Sequence, residues 1–246
     1  MKVDLPRPLH GWRKFAGEVG IIVLGVLLAL GAEQLAQTVH IRSDTAEAFE
    51  AVKSELALSA GVYEERVAQQ PCLDQRLKQL GLVVSAARQS HSLPDVGWIG
   101  GGPAIRPIQS VAWSSAMSGG LVERFPKLER DRMRLHYSQS ENFHSDVDDE
   151  RVMWATLRIL QHQPGPIDGA LLAEAASTLE RLRYRSWLNG VNADQLMADM
   201  KSIGIGTNYY MLADDDEKID RTVMLEKIRA SVICRPLLVD GKALAV

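Results

Sequence analysis

The sequence contains none of the short motifs that mark common enzyme and metal sites. It has no GxSxG nucleophile turn, no HExxH zinc motif and no glycine-rich phosphate loop ending in GK[ST]. Its two cysteines, Cys72 and Cys234, form no CxxC pair, which argues against a zinc or thioredoxin-like centre. The sequence therefore predicts no catalytic residue, no metal ligand and no cofactor, and the balance favours a protein that is not an enzyme.

An excess of positive charge is also missing, because the net charge is −3 and the pI is near 6.1. Nucleic-acid binding requires clustered lysine and arginine, so nucleic acid is not an expected partner. Cations are nevertheless concentrated before Val19. The basic residues there are Lys2, Arg7, Arg13 and Lys14, against Asp4 and Glu18. A basic stretch before an apolar run favours residues 1–14 on the cytoplasmic side.

One apolar segment is long enough to suggest a membrane span. The uncharged run Val19–Ala32 has only 14 residues, whereas a spanning helix needs about 20. Extension to residues 15–39 is possible if Glu18 and Glu33, roughly 22 Å apart on a helix, lie near the two interfaces. We therefore predict a transmembrane helix over residues 15–39. Its expected interfacial anchors are Trp12, Arg13, Lys14 and Glu18.

Two other interpretations of this segment stay open. A cleaved signal peptide would have a suitable apolar region, with Ala29-Leu30-Gly31 as a small-x-small cleavage site. A buried core helix of a soluble protein is the third, although this segment is apolar on every face. The small residues Gly25 and Ala29 stand four apart, as do Ala16 and Gly20. This spacing is typical of close helix pairs in membranes, so a homo-oligomer through the span is a possible assembly.

The apolar segment also carries a resemblance. Gly17-Glu18, six apolar residues, Gly25, three apolar residues and Ala29-Leu30 follow the pattern GE-(apolar)6-G-(apolar)3-AL. This pattern resembles the anchor of a broad group of small single-pass bacterial membrane proteins of unknown function. The likeness covers about 20 residues, and Gly31–Gln34 replaces the Gln/Asn/Trp-rich exit of the commoner form. The resemblance implies one N-terminal span followed by a helical remainder, and it implies no activity.

After the span, the spacing of apolar residues is helical almost throughout. The helix of the span is predicted to continue into the folded part and to end near Gln70, because Pro71 removes a backbone donor. A clean apolar stripe follows from Leu73 to Ala87. Proline and glycine then mark a long loop over residues 93–109, and the acidic run Asp214–Glu217 predicts a helix N-terminus. The predicted architecture is all-α, with an antiparallel helical bundle over residues 40–246.

The two cysteines fall at helix ends in this arrangement. Cys72 is expected at the start of one helix and Cys234 at the end of another, where the two ends can meet. A disulfide between them is predicted if the helical domain lies in an oxidising compartment. The alternative is two buried thiols that pack as small apolar groups.

The loop over residues 93–109 is the main candidate for a binding site, because long loops in compact domains are often functional. The speculative contact site consists of Gly100, Gly101, Gly102 and Trp113. Trp113, Trp154 and Trp187 lie among apolar neighbours and are predicted to be core residues.

Together these observations predict a protein of the bacterial inner membrane, with a cytoplasmic N-terminus and a periplasmic helical domain. The expected role is protein interaction, assembly or sensing, with the lipid bilayer and an unknown protein as partners. The alternative is a small-ligand receptor or enzyme with its site near the loop 93–109.

Overall fold

A computed structural model describes residues 11–104, 106–209 and 219–245. Helix accounts for 76% of these residues, so the predicted all-α class is confirmed. The helix start expected at Asp214–Glu217 lies outside the described residues, as do most of the basic lead-in and the side chains of Arg13 and Lys14.

The first helix, α1, runs without interruption from Trp12 to Ser90, over 79 residues. The prediction that Pro71 ends a helix is therefore wrong. A proline inside a helix removes one hydrogen bond, but the turns on both sides are held by packing, since Tyr63 and Leu73 are each fully buried. Tertiary contacts thus outweigh the local cost of the proline.

Four further helices follow within the described residues. They are α2 (Val111–Ser118), α3 (Lys127–Leu157), α4 (Gly169–Ser202) and α5 (Arg221–Ala230). Three short 3-10 turns lie at Val122–Arg124, Arg158–Leu160 and Val232–Cys234. The side chain of Asp168 accepts hydrogen bonds from the first turn of α4, and Asp220 does the same for α5. Carboxylates at these positions satisfy donors that have no partner inside the helix.

The helix α4 packs against both α1 and α3. Arg185 and Arg132 fix its direction, because they pair with Asp146 and Asp199 respectively. Residue numbers thus fall along α4 as they rise along α3, and α4 runs antiparallel to it. The helices α1 and α3 run parallel to each other. Glu55 of α1 contacts Tyr137 of α3, and further along both helices Arg66 contacts Glu150.

The apolar stripes predicted from spacing form the core. Leu73, Leu77 and Leu80 of α1 pack in one cluster with Leu179 and Leu182 of α4. Trp113 and Trp154 are buried, as predicted. Trp187 is 56% exposed, so its assignment to the core is wrong. It follows the buried Ser186 directly, and one residue along a helix turns a side chain by about 100° away from the core.

Short strands connect the ends of the helices. β1 (Ser92–Leu93) pairs antiparallel with β2 (Gly165–Pro166). β3 (Leu238–Val239) pairs with β4 (Lys242–Ala243) in a hairpin. Val96 bridges to both Gln161 and Val239, so the loop after α1, the loop after α3 and the C-terminal hairpin meet at one end of the molecule.

The N-terminal part of α1 is different from the rest. It contains an 18-residue window of mean hydropathy 2.2, and none of that window is buried against other parts of the described structure. This is the one described helix that is long and apolar enough to cross a membrane.

Candidate functional site

The apolar part of α1 exposes its side chains on all faces. Trp12 is 74% exposed and its ring lies 6.0 Å from that of Phe15. Gly25 has no atom of another element within 4 Å of the position of a Cβ. Four of the predicted anchor residues, Trp12, Glu18, Gly25 and Ala29, therefore lie on an exposed stretch of helix that no other described element covers.

The glycine-rich loop is packed against the core and leaves no cleft at Trp154. Gly102 has φ +85° and lies against the indole ring of Trp154 so closely that a Cβ at this position would overlap the ring. Gly100 also has a positive φ, +99°. The backbone conformation favours glycine at both positions, and at Gly102 the close approach to Trp154 adds a steric reason.

A buried arginine holds this loop in place. Arg76 of α1 is 1% exposed, and its Nη1 atom donates to the carbonyl oxygens of Trp98 and Ile99 at 3.0 and 2.5 Å. Its Nη2 atom donates to the carbonyl oxygens of Val232 and Arg235 at 3.2 and 2.6 Å. Burial lowers the pKa of Arg76. One guanidinium thus joins the loop and the C-terminal segment to α1.

Two more side chains of α1 tether the loop. Gln69 accepts a hydrogen bond from the backbone nitrogen of Ala104 at 3.0 Å, and Glu65 pairs with Arg106 at 3.1 Å. Burial raises the pKa of Glu65, and the charge of Arg106 opposes that rise. These contacts were missed from sequence, although polar residues at 65, 69 and 76 on the buried side of an amphipathic helix are the signal that could have found them.

The four residues of the speculative contact site do not form one site. The three glycines border a hollow of about 310 Å³ between the loop and α5, which Met224 and Ile228 also line. Trp113 borders a separate groove of about 600 Å³ between α2 and α3.

The groove beside Trp113 has a rigid back wall. Trp113 stacks on Tyr137 with ring centroids 4.8 Å apart. The hydroxyl of Tyr137 donates to Glu55 at 2.5 Å, and Glu55 also accepts from the backbone nitrogen of Ala112 at 2.8 Å. The rim of the groove carries Ser110, Ser114, Arg134, Ser138, Glu141 and His144.

Two of the ionisable groups at that rim are already engaged. Arg134 pairs with Glu123 at 2.9 Å, and His144 lies 3.8 Å from Asp148. The arrangement suits binding of a polar molecule against an aromatic wall.

A second buried polar group, here called the central cluster, joins the three long helices. It consists of Arg66, Glu150, Ser186 and Asn189. Arg66 and Glu150 are 3% and 0% exposed, and their Nη2 and Oε2 atoms lie 3.2 Å apart. Arg66 also donates to the carbonyl oxygen of Ser186 at 2.8 Å, and Asn189 donates to Glu150 at 2.8 Å. Because each member comes from α1, α3 or α4, the cluster fixes the alignment of these helices.

The sulfur atoms of Cys72 and Cys234 lie 2.07 Å apart, at disulfide-bonding distance, and the sequence separation of the two residues is 162. Cys72 lies in the middle of α1 rather than at a helix start, so the structural reason given for the pairing was wrong. Cys234 ends a 3-10 turn after α5. The bond and Arg76, one turn further along α1, hold the same C-terminal segment.

The described histidines are not grouped as a metal site would require. In the described residues no group of three or more His, Cys, Asp or Glu side chains is placed to hold a metal ion. His136 is 1% exposed and its ring lies 5.7 Å from that of Tyr63. Burial lowers the pKa of His136 to about 4, so it is a neutral core residue near pH 7.

Comparison with known proteins gives no match to a family model, to a curated protein or to a solved structure.

Proposed function

We propose that this chain is a single-pass membrane protein whose α1 carries an extracytoplasmic helical bundle for interaction with another protein. The observation that supports it is the continuity of α1. One helix contains both an apolar window that is fully exposed and a longer part that packs in the folded core.

Water is a poor solvent for that window. Ile21 and Leu28 are 74% and 66% exposed, and burying one such side chain is worth about 1.5–3 kcal/mol. A core helix of a soluble protein would be covered by the rest of its chain, whereas no part of the described structure covers this window. The hydrocarbon of a bilayer supplies the missing environment.

Charge and the cysteines both support the proposed orientation. The basic lead-in favours a cytoplasmic N-terminus, with the bundle on the other side. A disulfide between Cys72 and Cys234 persists in an oxidising compartment such as the periplasm. The two arguments are independent and agree.

An exposed aromatic pair supports a role in interaction. Tyr184 and Trp187 on α4 are 63% and 56% exposed, with ring centroids 5.9 Å apart. They lie on the side of α4 away from Leu182 and Ser186, which are both buried. Exposed tyrosine and tryptophan are enriched where proteins bind one another.

The anchor is tested with two arginine substitutions of different depth. Leu28→Arg places a charge near the middle of the span, where it costs about 2.5–3.5 kcal/mol on insertion scales. Leu35→Arg places the same charge near the end of the span and serves as the matched control. We expect the wild type and Leu35→Arg to stay in the membrane during alkaline carbonate extraction. A smaller fraction of the Leu28→Arg variant should stay there. A wild-type chain that carbonate releases would refute the anchor.

The side of the membrane is tested by thiol mass tagging of native membranes. We expect Cys72 and Cys234 to resist tagging after denaturation unless a reductant is added. Full tagging without reductant would place the folded part in a reducing compartment and would contradict the proposed orientation.

A small-ligand site is the second candidate function, and the groove beside Trp113 is the observation that favours it. A ligand there would change the fluorescence of Trp113, whereas Trp113→Phe would remove that signal and keep an aromatic wall. A larger side chain at Ser114, which lines the groove, should block binding. A ligand whose affinity is unchanged in a Ser114→Trp variant would exclude this site.

A further inference from the structure

A small hollow lies where the folded part of the molecule begins on α1. It has a volume of about 270 Å³ and its walls come from α1 and from the turn between α2 and α3. Its lining residues are Ile41, Arg42, Thr45, Ala46, Phe49, Arg124, Phe125 and Pro126. We propose that this arginine hollow binds the headgroup of an anionic phospholipid from the membrane that α1 enters.

The charges of the hollow are not neutralised by the protein. Neither Arg42 nor Arg124 makes a side-chain hydrogen bond or ion pair with another described residue, and none of the eight lining residues is acidic. The nearest acids in sequence are engaged elsewhere. Asp44 lies 3.6 Å from His40, and Glu123 is held by Arg130 and Arg134 at 3.5 and 2.9 Å.

Other cations at this end of the molecule differ from the two arginines. Lys127 lies 2.9 Å from Asp131, and Arg132 lies 3.1 Å from Asp199. A ligand can therefore bind the two arginines of the hollow without breaking an ion pair. Guanidinium groups bind phosphate oxygens strongly because their donors match the spacing of those oxygens.

The walls between the two arginines are apolar. Phe49 and Phe125 meet edge to face with centroids 5.0 Å apart, and Phe125 is 4% exposed. A site with two cations and an aromatic wall fits an amphipathic anion, whose phosphate contacts the arginines while its glycerol and first acyl carbons contact the rings. Free phosphate would leave the apolar wall uncovered.

The height of the hollow matches the headgroup layer, and this step rests on the proposed membrane anchor. A hydrocarbon core of about 30 Å centred on residues 15–39 extends to about residue 37. Arg42 then lies about 7 Å beyond the hydrocarbon, in the layer occupied by headgroups. Arg124 faces the same hollow, and arginine side chains extend readily toward an interface.

The test uses the full chain in a neutral detergent and short-chain phosphatidylglycerol as the probe. Native mass spectrometry counts the lipid adducts, and phosphatidylcholine and inorganic phosphate are the comparison ligands. The test variant is Arg42→Gln/Arg124→Gln. The matched control, Lys127→Gln/Arg132→Gln, removes two cations of the same end that already have partners.

We expect the hollow variant to bind phosphatidylglycerol about 25-fold more weakly, roughly fivefold for each cation removed. The control variant should change the affinity by less than about threefold. Equal losses in both variants would overturn the proposal, because general charge would then explain binding. Equal binding of phosphatidylcholine, or displacement of the lipid by millimolar inorganic phosphate, would overturn it as well.

These outcomes are separate from those for the anchor. Carbonate extraction reports whether α1 is inserted in a membrane, and lipid counting in detergent does not depend on insertion. A chain that stays in the membrane without lipid preference refutes the hollow alone. A chain that carbonate releases while the purified protein keeps its preference refutes the anchor alone.

Discussion

Replacing Glu150 by glutamine tests whether the central cluster sets the stability of the folded part. Glu150 is fully buried, and it accepts hydrogen bonds from Arg66 and Asn189 at 3.2 and 2.8 Å. Glutamine has nearly the same shape, but it removes the negative charge and turns one acceptor into a donor. The guanidinium of Arg66 would then remain buried without a counter-ion.

The expected loss is large. Removing one partner of a buried ion pair costs about 3–5 kcal/mol, mostly because the other charge is left uncompensated. Arg66→Met should cost a similar amount for the converse reason. Replacing both partners removes both charges, so Arg66→Met/Glu150→Gln should lose much less than the sum of the single variants Arg66→Met and Glu150→Gln.

A double-mutant cycle measures this difference. The free energy of unfolding is taken from denaturant titrations in one detergent, with circular dichroism for helix and the fluorescence of the buried Trp154 for the core. The exposed pair Arg151 and Asp148, 3.2 Å apart, gives the control cycle, in which coupling should not exceed about 0.5 kcal/mol. If the Arg66 and Glu150 effects simply add to within about 0.5 kcal/mol, the cluster does not act as a buried ion pair and our reasoning is refuted.

Three further expectations concern other parts of the core. Cys72→Ser/Cys234→Ser should lower the free energy of unfolding by up to about 5 kcal/mol, because the bond closes a loop of about 160 residues; an unchanged denaturation midpoint with and without reductant would contradict this. Gly102→Ala should cost more than the usual glycine-to-alanine change at an exposed turn, since the new methyl group meets the indole ring of Trp154, and Gly165→Ala, with open space around it, isolates the backbone contribution. The depressed pKa of His136, about 4 against 6.5, means that the unfolded chain binds a proton first as pH falls, so stability should drop by about 3 kcal/mol between pH 6.5 and pH 4; a His136→Gln variant should lack that part of the pH dependence, and equal pH profiles would exclude the buried histidine as its source.

Hydrophobic spacing predicted the long elements because it reports which side of a helix is buried. Leu172, Leu179 and Leu182 follow helical spacing and all are buried. The long α4 continues through Asn189-Gly190 because Asn189 is used by the central cluster. Asparagine is a weak helix former, so local sequence gives no reason for it at this position. The reason is its hydrogen bond to Glu150 on another helix.

Proline and glycine misled the prediction for a related reason. Pro71 indicates a helix end by local rules, yet the packing of residues on both sides carries α1 through it. The run Gly100–Gly102 suggested a ligand-binding turn, whereas Gly102 serves contact with Trp154. Both explanations depend on residues far away in sequence, which a single sequence does not identify.

Because α1 is one unbroken helix, the apolar segment and the folded part have a fixed rotation relative to each other about the helix axis. One residue inserted near Val39 would turn the folded part by about 100° about the helix axis and raise it by about 1.5 Å. Seven inserted residues would return it to within about 20° of its original facing at a height of about 10 Å. If α1 spans a membrane as proposed, the direction in which Tyr184 and Trp187 face along the membrane surface is therefore set by the number of residues between the apolar segment and the part of α1 that contacts α4. Any partner that is itself held in the membrane would respond to insertions with a period of about 3.6 residues, and a flexible linker in place of this helix would show no such period.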